Sequence, residues 1–318
     1  MARIGLILGA GGLTGQAYHA GVLSGIADAT GWDPRAADLI VGTSAGSAVG
    51  SYLRLGLAPA DFAALLRHKA LSVEGAELVT RLGPSGDWTE PTVPRGWNPP
   101  HPSKLVGTLV RSPWKVRPEA LLGVTIPTGR VDTESWTAAL RPLAGPTWPA
   151  EPLWICSVRM DDTRRVVFGR SDAPTIDVAT AVGASSAIPG YFAPVMIHGR
   201  RYVDGGVHSP SNADVVRRAD LDLVIISSPM STSRNAPIRS ASGAARRHFR
   251  ARLGQEVRRL ERAGMQVVVF QPSVDDLATM GGRAMDSTRV AAVVARAHET
   301  TLRRIGDRPL PISRQMVR

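Results

Sequence analysis

Leu39-Ile40-Val41-Gly42-Thr43-Ser44-Ala45-Gly46-Ser47-Ala48 is the stretch on which the fold turns. Three apolar residues, two of them β-branched, read as a short buried strand, and the small residues after Ser44 read as the start of a helix. A serine set as GxSxG between strand and helix stands at the apex of a tight turn, presented as a candidate nucleophile. Such a turn needs neighbours with little side chain, so that the backbone can bend and an ester can approach. Gly42 and Gly46 meet that need. The following helix N-terminus aims unpaired N–H groups at any negative charge that develops there. In a chain with 32 glycines the pattern alone is a weak signal.

Upstream, Ile4-Gly5-Leu6-Ile7-Leu8 reads as a buried strand and Gln16 to Ala29 as a helix, joined by Gly9-Ala10-Gly11-Gly12-Leu13-Thr14-Gly15. A glycine run in this setting presents backbone N–H groups in a concave, anion-holding nest. One reading is a nucleotide phosphate site. Gly9, Gly11, Gly12 and Gly15 do not fall in the GxGxxG register, however, and no Walker-type lysine follows. No acidic residue closes the second strand, where a ribose contact would sit. The reading preferred is an oxyanion hole, with Gly11 and Gly12 donating to a tetrahedral intermediate at Ser44. A glycine turn that merely lets strand and helix pack closely is the alternative.

Downstream lies Arg201-Tyr202-Val203-Asp204-Gly205-Gly206. An aspartate at the end of an extended run, followed by two glycines, is placed where a carboxylate can meet a serine from another strand. Asp-Gly-Gly is also a plain turn sequence.

Taken together, these motifs make the chain resemble the patatin-like phospholipase family. The family carries a glycine-rich oxyanion loop, a GxSxG serine shortly after it and an Asp-Gly-Gly box, and works by a serine–aspartate dyad. The resemblance implies Ser44 as nucleophile, Asp204 as dyad aspartate, and Gly11 and Gly12 as oxyanion glycines. Gly9, Gly15, Gly42, Gly46, Gly205 and Gly206 support them. Gly183-Ala184-Ser185-Ser186-Ala187-Ile188-Pro189-Gly190-Tyr191-Phe192-Ala193-Pro194 is similar to a further family block just ahead of the aspartate. One departure stands out: Thr14 occupies a position where the family usually carries arginine or lysine. The fold implied is α/β, three-layered, with a central mostly parallel sheet flanked by helices. The activity implied is hydrolysis of acyl esters of lipids, of phospholipase A or lysophospholipase type, with no cofactor.

Composition agrees. The 318 residues, 43% of them hydrophobic, support a large core, expected as a single hydrolase domain over 1–318. Residues 83–152 are expected as an irregular insertion, because they hold 13 of the 24 prolines together with Trp88, Trp97, Trp114, Trp136 and Trp148, with Trp154 just beyond. These tryptophans either line an acyl groove as a cap beside the site or anchor the insertion to the core. Asp61 to Leu82 is expected as one helix with a broken apolar face, Ile176 to Ala184 as a helix feeding a Ser185-Ser186 turn, and a C-terminal helical extension starts at about residue 244. The lone cysteine, Cys156, sits in an apolar run and reads as a core thiol.

No apolar run approaches the about 18 residues that span a bilayer, and the N-terminal run reads as a first strand, not a signal peptide. A cytoplasmic location is expected, with peripheral contact to membrane. The net charge is +11, and residues 246–262 carry seven arginines against Glu256 and Glu261. Leu253, Val257 and Leu260 keep helical spacing, which makes this a basic amphipathic helix. It suits an anionic membrane surface or a solvated face; nucleic acid is not expected, since nothing resembles a recognition helix or stacking platform. The seven histidines form no metal-ligand pair, and Asp161-Asp162 and Asp275-Asp276 read as turn acids rather than calcium ligands. Two rival readings remain: a Ser-Asp-His triad completed by His208, His248 or His298, and a catalytically silent membrane- or partner-binding module on the same scaffold.

Overall fold

The computed structural model describes residues 2–81, 129–137, 140–233 and 241–312. Strand β1 (Ile4–Leu8), helix α1 (Gly12–Thr30), strand β2 (Leu39–Thr43) and helix α2 (Ala45–Arg54) open the fold. Every residue of β1 and β2 is buried. Apolar runs without alternation belong to a sheet covered on both faces, and the two strands pair in parallel from Gly5 opposite Leu39 to Leu8 opposite Gly42.

Helices α3 (Pro59–Leu66) and α4 (Val73–Arg81) follow, in place of the single helix expected over 61–82. The chain breaks between them, with His68 in the left-handed region at φ 52°. The Asp61 carboxylate stabilises the break. It accepts from the Ser72 backbone N–H and hydroxyl, each at 2.7 Å, and Ser72 in turn caps α4 by accepting from the Gly75 N–H at 3.0 Å. Most of the proline- and tryptophan-rich insertion, Trp88, Trp97 and Trp114 included, lies outside the described residues. Trp148, half-buried, donates from its indole N–H to the Leu153 carbonyl at 3.0 Å, and so serves as an anchor.

Two one-turn helices, α5 (Glu134–Thr137) and α6 (Arg141–Ala144), lead into β3 (Leu153–Arg159) and β4 (Arg164–Phe168). Helix α7 (Val178–Ser186) is capped by Asp177, which accepts from the Thr180 N–H at 2.9 Å. It runs two residues past the expected end and takes in Ser185 and Ser186. Strands β5 (Val195–Ile197) and β6 (Arg200–Asp204) form a hairpin, with His198 and Gly199 both at positive φ as its tight turn requires. Strand β7 (Leu223–Ser227), helix α8 (Ala241–Glu261), strand β8 (Gln266–Phe270), helix α9 (Val274–Met280) and helix α10 (Val290–Asp307) complete the chain.

The sheet runs β5-β6-β3-β2-β1-β7-β8, with β4 also paired to β3. The five strands β3, β2, β1, β7 and β8 are parallel; β4, β5 and β6 are antiparallel to their neighbours. One face packs α1, α2, α7 and α10 through Leu13, Leu23, Val49, Val182 and Val294. The other packs α8 through Leu253 and Leu260 against Ile7, Val41, Val224 and Ile226. That is the expected three-layer α/β arrangement, and Cys156 lies fully buried within it.

Strand β3 positions the site. β2 reaches Cys156, opposite Thr43, and β6 reaches Ser157, opposite Asp204. Because β4 occupies the other edge of β3 over these residues, β2 and β6 share one edge and meet head to head. The residue that follows β2 and the residue that ends β6 are thereby brought together: Ser44 and Asp204.

Candidate active site

Ser44 takes φ 52° and ψ −119° between β2 and α2. A side-chain-bearing residue in that region is strained, and the surroundings hold it there. Its backbone N–H donates to the Ser185 hydroxyl at 2.9 Å, and that hydroxyl donates to the Cys156 carbonyl at 2.6 Å. Its carbonyl accepts from the Ser47 hydroxyl at 2.6 Å and the Ser47 N–H at 2.8 Å. A Cβ at Gly46 would overlap the Leu8 carbonyl, so only glycine lets α2 start this close to β1. Ser185 is a supporting residue that motif reading passed over. Its block was matched by resemblance, but nothing in the sequence pairs residue 185 with residue 44.

The carboxylate of Asp204 is buried, accepts a hydrogen bond from the Gly206 N–H at 2.6 Å and lies beside the Ser44 hydroxyl. Burial pushes its pKa up from 3.8 to about 6, against the opposing pull of these two donors. The Gly205-Gly206 turn is a 3₁₀ turn over Gly205–Val207 that Asp204 itself caps. Asn212 then locks the loop, donating from its amide to the Thr43 hydroxyl and to the Gly205 and Ser209 carbonyls.

The glycine run lies on the other side of Ser44. Gly9 donates to the Ser227 carbonyl at 3.0 Å and Ala10 to the Pro210 carbonyl at 2.8 Å. The Gly9 carbonyl accepts from the Gly46 N–H at 3.2 Å and from His19 Nε2 at 2.8 Å. A carbonyl only accepts, so Nε2 carries the proton, and Nδ1 accepts from the Ser227 hydroxyl at 2.8 Å. Burial lowers the His19 pKa to about 4, which keeps the ring neutral. Gly11 and Gly12 start α1, with Gly12 at φ 62°. Their N–H groups meet no acceptor among the described residues. Gly15 continues the helix and donates to the Gly11 carbonyl at 2.9 Å.

Ser44, Asp204, Gly11 and Gly12 line one pocket of about 520 Å³. Its walls are largely apolar, from Ile188, Pro189, Val207, Pro210, Met230 and Phe249. His208, His248 and Arg252 also reach it. His298 does not: on α10, it pairs with Asp28 at 2.7 Å. Trp154 also stands apart, in a separate cleft with the Arg170 guanidinium 5.3 Å from its ring centre. Among the described residues, no group of three or more His, Cys, Asp or Glu side chains is placed to hold a metal ion, and no helix is long and apolar enough to cross a membrane.

A serine on a strained strand–helix turn, a buried carboxylate touching it and a helix N-terminus facing both is an arrangement suited to acyl transfer. The fold and this pocket define an α/β protein with its site at the C-terminal edge of the parallel strands. A sequence model described as patatin-like phospholipase matches residues 6–217, and the chain belongs to that family of hydrolases. No curated protein matches by sequence. Among solved structures, the chain is similar to VipD from Legionella pneumophila at 14% identity, over 96% of this chain and 67% of that one, with a TM-score of 0.46.

Proposed function

We propose that this protein is a serine esterase that hydrolyses acyl esters of lipids through a Ser44–Asp204 dyad. The Ser44 hydroxyl beside the buried Asp204 carboxylate, inside an apolar pocket, carries the reading. Asp204 takes the hydroxyl proton as Ser44 Oγ attacks the ester carbonyl carbon. The carbonyl oxygen becomes an oxyanion facing the N–H groups of Gly11 and Gly12, each donor worth roughly 3 kcal/mol in such a site. The alcohol leaves with the proton from Asp204, and an acyl-enzyme remains. Water then attacks that ester, gives its proton to Asp204, and the acid departs as Ser44 recovers its hydrogen.

An aspartate with a pKa near 6 is a better base than an ordinary carboxylate, and burial supplies that shift. The direct contact with Ser44 supports the dyad over a triad, in which a histidine would stand between the two. Acyl chains fit the apolar walls. The whole chain is proposed as one hydrolase unit, because β7 pairs with β1 and α8 contributes to the pocket wall, although both lie beyond residue 217. Arg247, Arg258 and Arg259 on α8, and Arg262 just past its end, are exposed, which supports peripheral contact with an anionic membrane.

The test is hydrolysis of p-nitrophenyl butyrate. Ser44→Ala and Asp204→Asn are each expected to lower kcat by at least ~10³-fold, while His208→Gln and His248→Gln stay within about tenfold. A folded histidine variant as inactive as Ser44→Ala contradicts the dyad and favours the triad.

A further inference from the structure

The basic amphipathic helix expected over residues 246–262 divides its side chains among several tasks. Leu253 and Leu260 root the helix in the core, with relative exposures of 2% and 0%. Glu256, also buried, accepts from the hydroxyls of Ser209 and Ser211 and from the Ala213 N–H, the last at 3.0 Å. This fastens α8 to the loop that follows Asp204. Arg246 donates to the carbonyls of Pro229 and Ser231. Arg247, Arg250 and Arg258 border a shallow groove elsewhere. Of the seven arginines between 246 and 262, Arg252 alone lines the pocket of Ser44.

Arg252 stands one turn before the Glu256 anchor, so its placement follows from a fixed helix face. His248 and Phe249 share that face and also line the pocket. Arg252 is the one permanent cation among the described lining residues, and Asp204 is the one carboxylate among them. Thr14 does not line the pocket: its side chain is turned to the Ala284 carbonyl at 3.3 Å and is 2% exposed. A guanidinium beside apolar walls attracts anions more strongly than one in open water, and its planar fork matches a phosphate.

We propose that Arg252 sets substrate choice by pairing with an anionic phosphate carried near the scissile ester. Lysophosphatidate-type esters are then preferred over uncharged esters of the same acyl chain. The proposal rests on the Ser44–Asp204 reading, and concerns specificity rather than the chemical step. The acyl chain lies along Ile188, Pro189, Val207 and Met230, the ester carbonyl faces Gly11 and Gly12, and the phosphate reaches across to α8.

The experiment compares 1-oleoyl-lysophosphatidate with monoolein as substrates. The parent is expected to show a kcat/KM at least tenfold higher for the phosphate ester. Arg252→Gln is expected to lower that ratio at least tenfold, and Arg252→Lys to keep most of it. On the parent protein alone, dodecyl phosphate is expected to inhibit monoolein hydrolysis at concentrations at least tenfold below dodecanol, less so at high salt. This arm holds even where a variant fails to fold. A parent without preference overturns the proposal, as does an Arg252→Gln variant that loses both substrates equally. Either result leaves the esterase reading intact if monoolein is turned over. A parent that hydrolyses neither lipid and no p-nitrophenyl ester overturns the esterase reading, and the specificity proposal falls with it.

Discussion

His19 donates from Nε2 to the carbonyl of Gly9 across 2.8 Å, inside a core that leaves the ring with no measurable exposure. The same carbonyl accepts from Gly46, two residues past Ser44. One oxygen atom therefore ties the glycine run to the serine turn, and a buried, neutral imidazole sets its direction. His19→Leu is expected to lower kcat for p-nitrophenyl butyrate by 10- to 100-fold with KM changed less than about threefold, because the Gly11 and Gly12 donors lose their aim. His19→Gln, which restores a donor, is expected to recover part of the loss. A variant with lower thermal stability but parental kcat reduces His19 to a packing residue.

Asp204 yields a prediction of opposite sign for stability and activity. Its folded pKa of about 6 lies above its ordinary 3.8, so the native state holds a proton that the unfolded chain has released between these values. Stability from this group is present below pH 3.8 and is lost as pH rises through 6, on the order of 2–3 kcal/mol in all. Activity needs the ionised form, so kcat/KM is expected to rise with pH through an apparent pKa near 6. Asp204→Asn is expected to be inactive yet to melt higher than the parent at pH 8, with the gap closing towards pH 4. Equal melting temperatures at pH 8, or a kcat/KM limb near pH 4, contradict the burial argument.

Ser185 offers a prediction that no motif supplies. Removing its hydroxyl leaves the Ser44 N–H and the Cys156 carbonyl without this bridge, at a cost of roughly 1–3 kcal/mol for each buried group left unpaired. Ser185→Ala is expected to lower the melting temperature and to lower kcat at least tenfold, as the strained turn relaxes. Parental kcat in a destabilised variant assigns Ser185 to the fold alone.

Much of this was legible in the residues. Short apolar runs, each leading into a glycine-containing turn, announce parallel strands at Ile4–Leu8 and Leu39–Thr43. His198-Gly199 announces the hairpin. The elements that bound the site were legible because backbone geometry demands particular residue types there. What connects them was not. That Asp204 ends beside Ser44 depends on β2 and β6 sharing one edge of β3, and pairing between distant strands leaves no local mark. The split of 61–82 into two helices depends on Asp61 reaching Ser72, a side-chain contact that periodicity does not record. The pocket face of α8 was hidden in an arginine-rich stretch, where seven like residues read as one face until the helix is docked.

The exposed arginines predict salt-sensitive membrane contact. The protein is expected to sediment with acidic phospholipid vesicles at low salt and to release as salt rises, because Coulomb attraction is screened beyond about 8 Å at physiological ionic strength. Reversing Arg247, Arg258, Arg259 and Arg262 to glutamate is expected to abolish sedimentation, whereas reversing four arginines elsewhere is not. Equal binding of the parent to neutral and acidic vesicles contradicts this part of the account.

The central claim, that Ser44 is the nucleophile and Asp204 its base, is tested most directly by covalent labelling with a fluorophosphonate, read by intact mass and peptide mapping. The account predicts one adduct per chain, on Ser44, absent from Ser44→Ala and slowed at least ~10³-fold in Asp204→Asn. An unlabelled parent, an adduct on another residue, or full labelling of Asp204→Asn would contradict it.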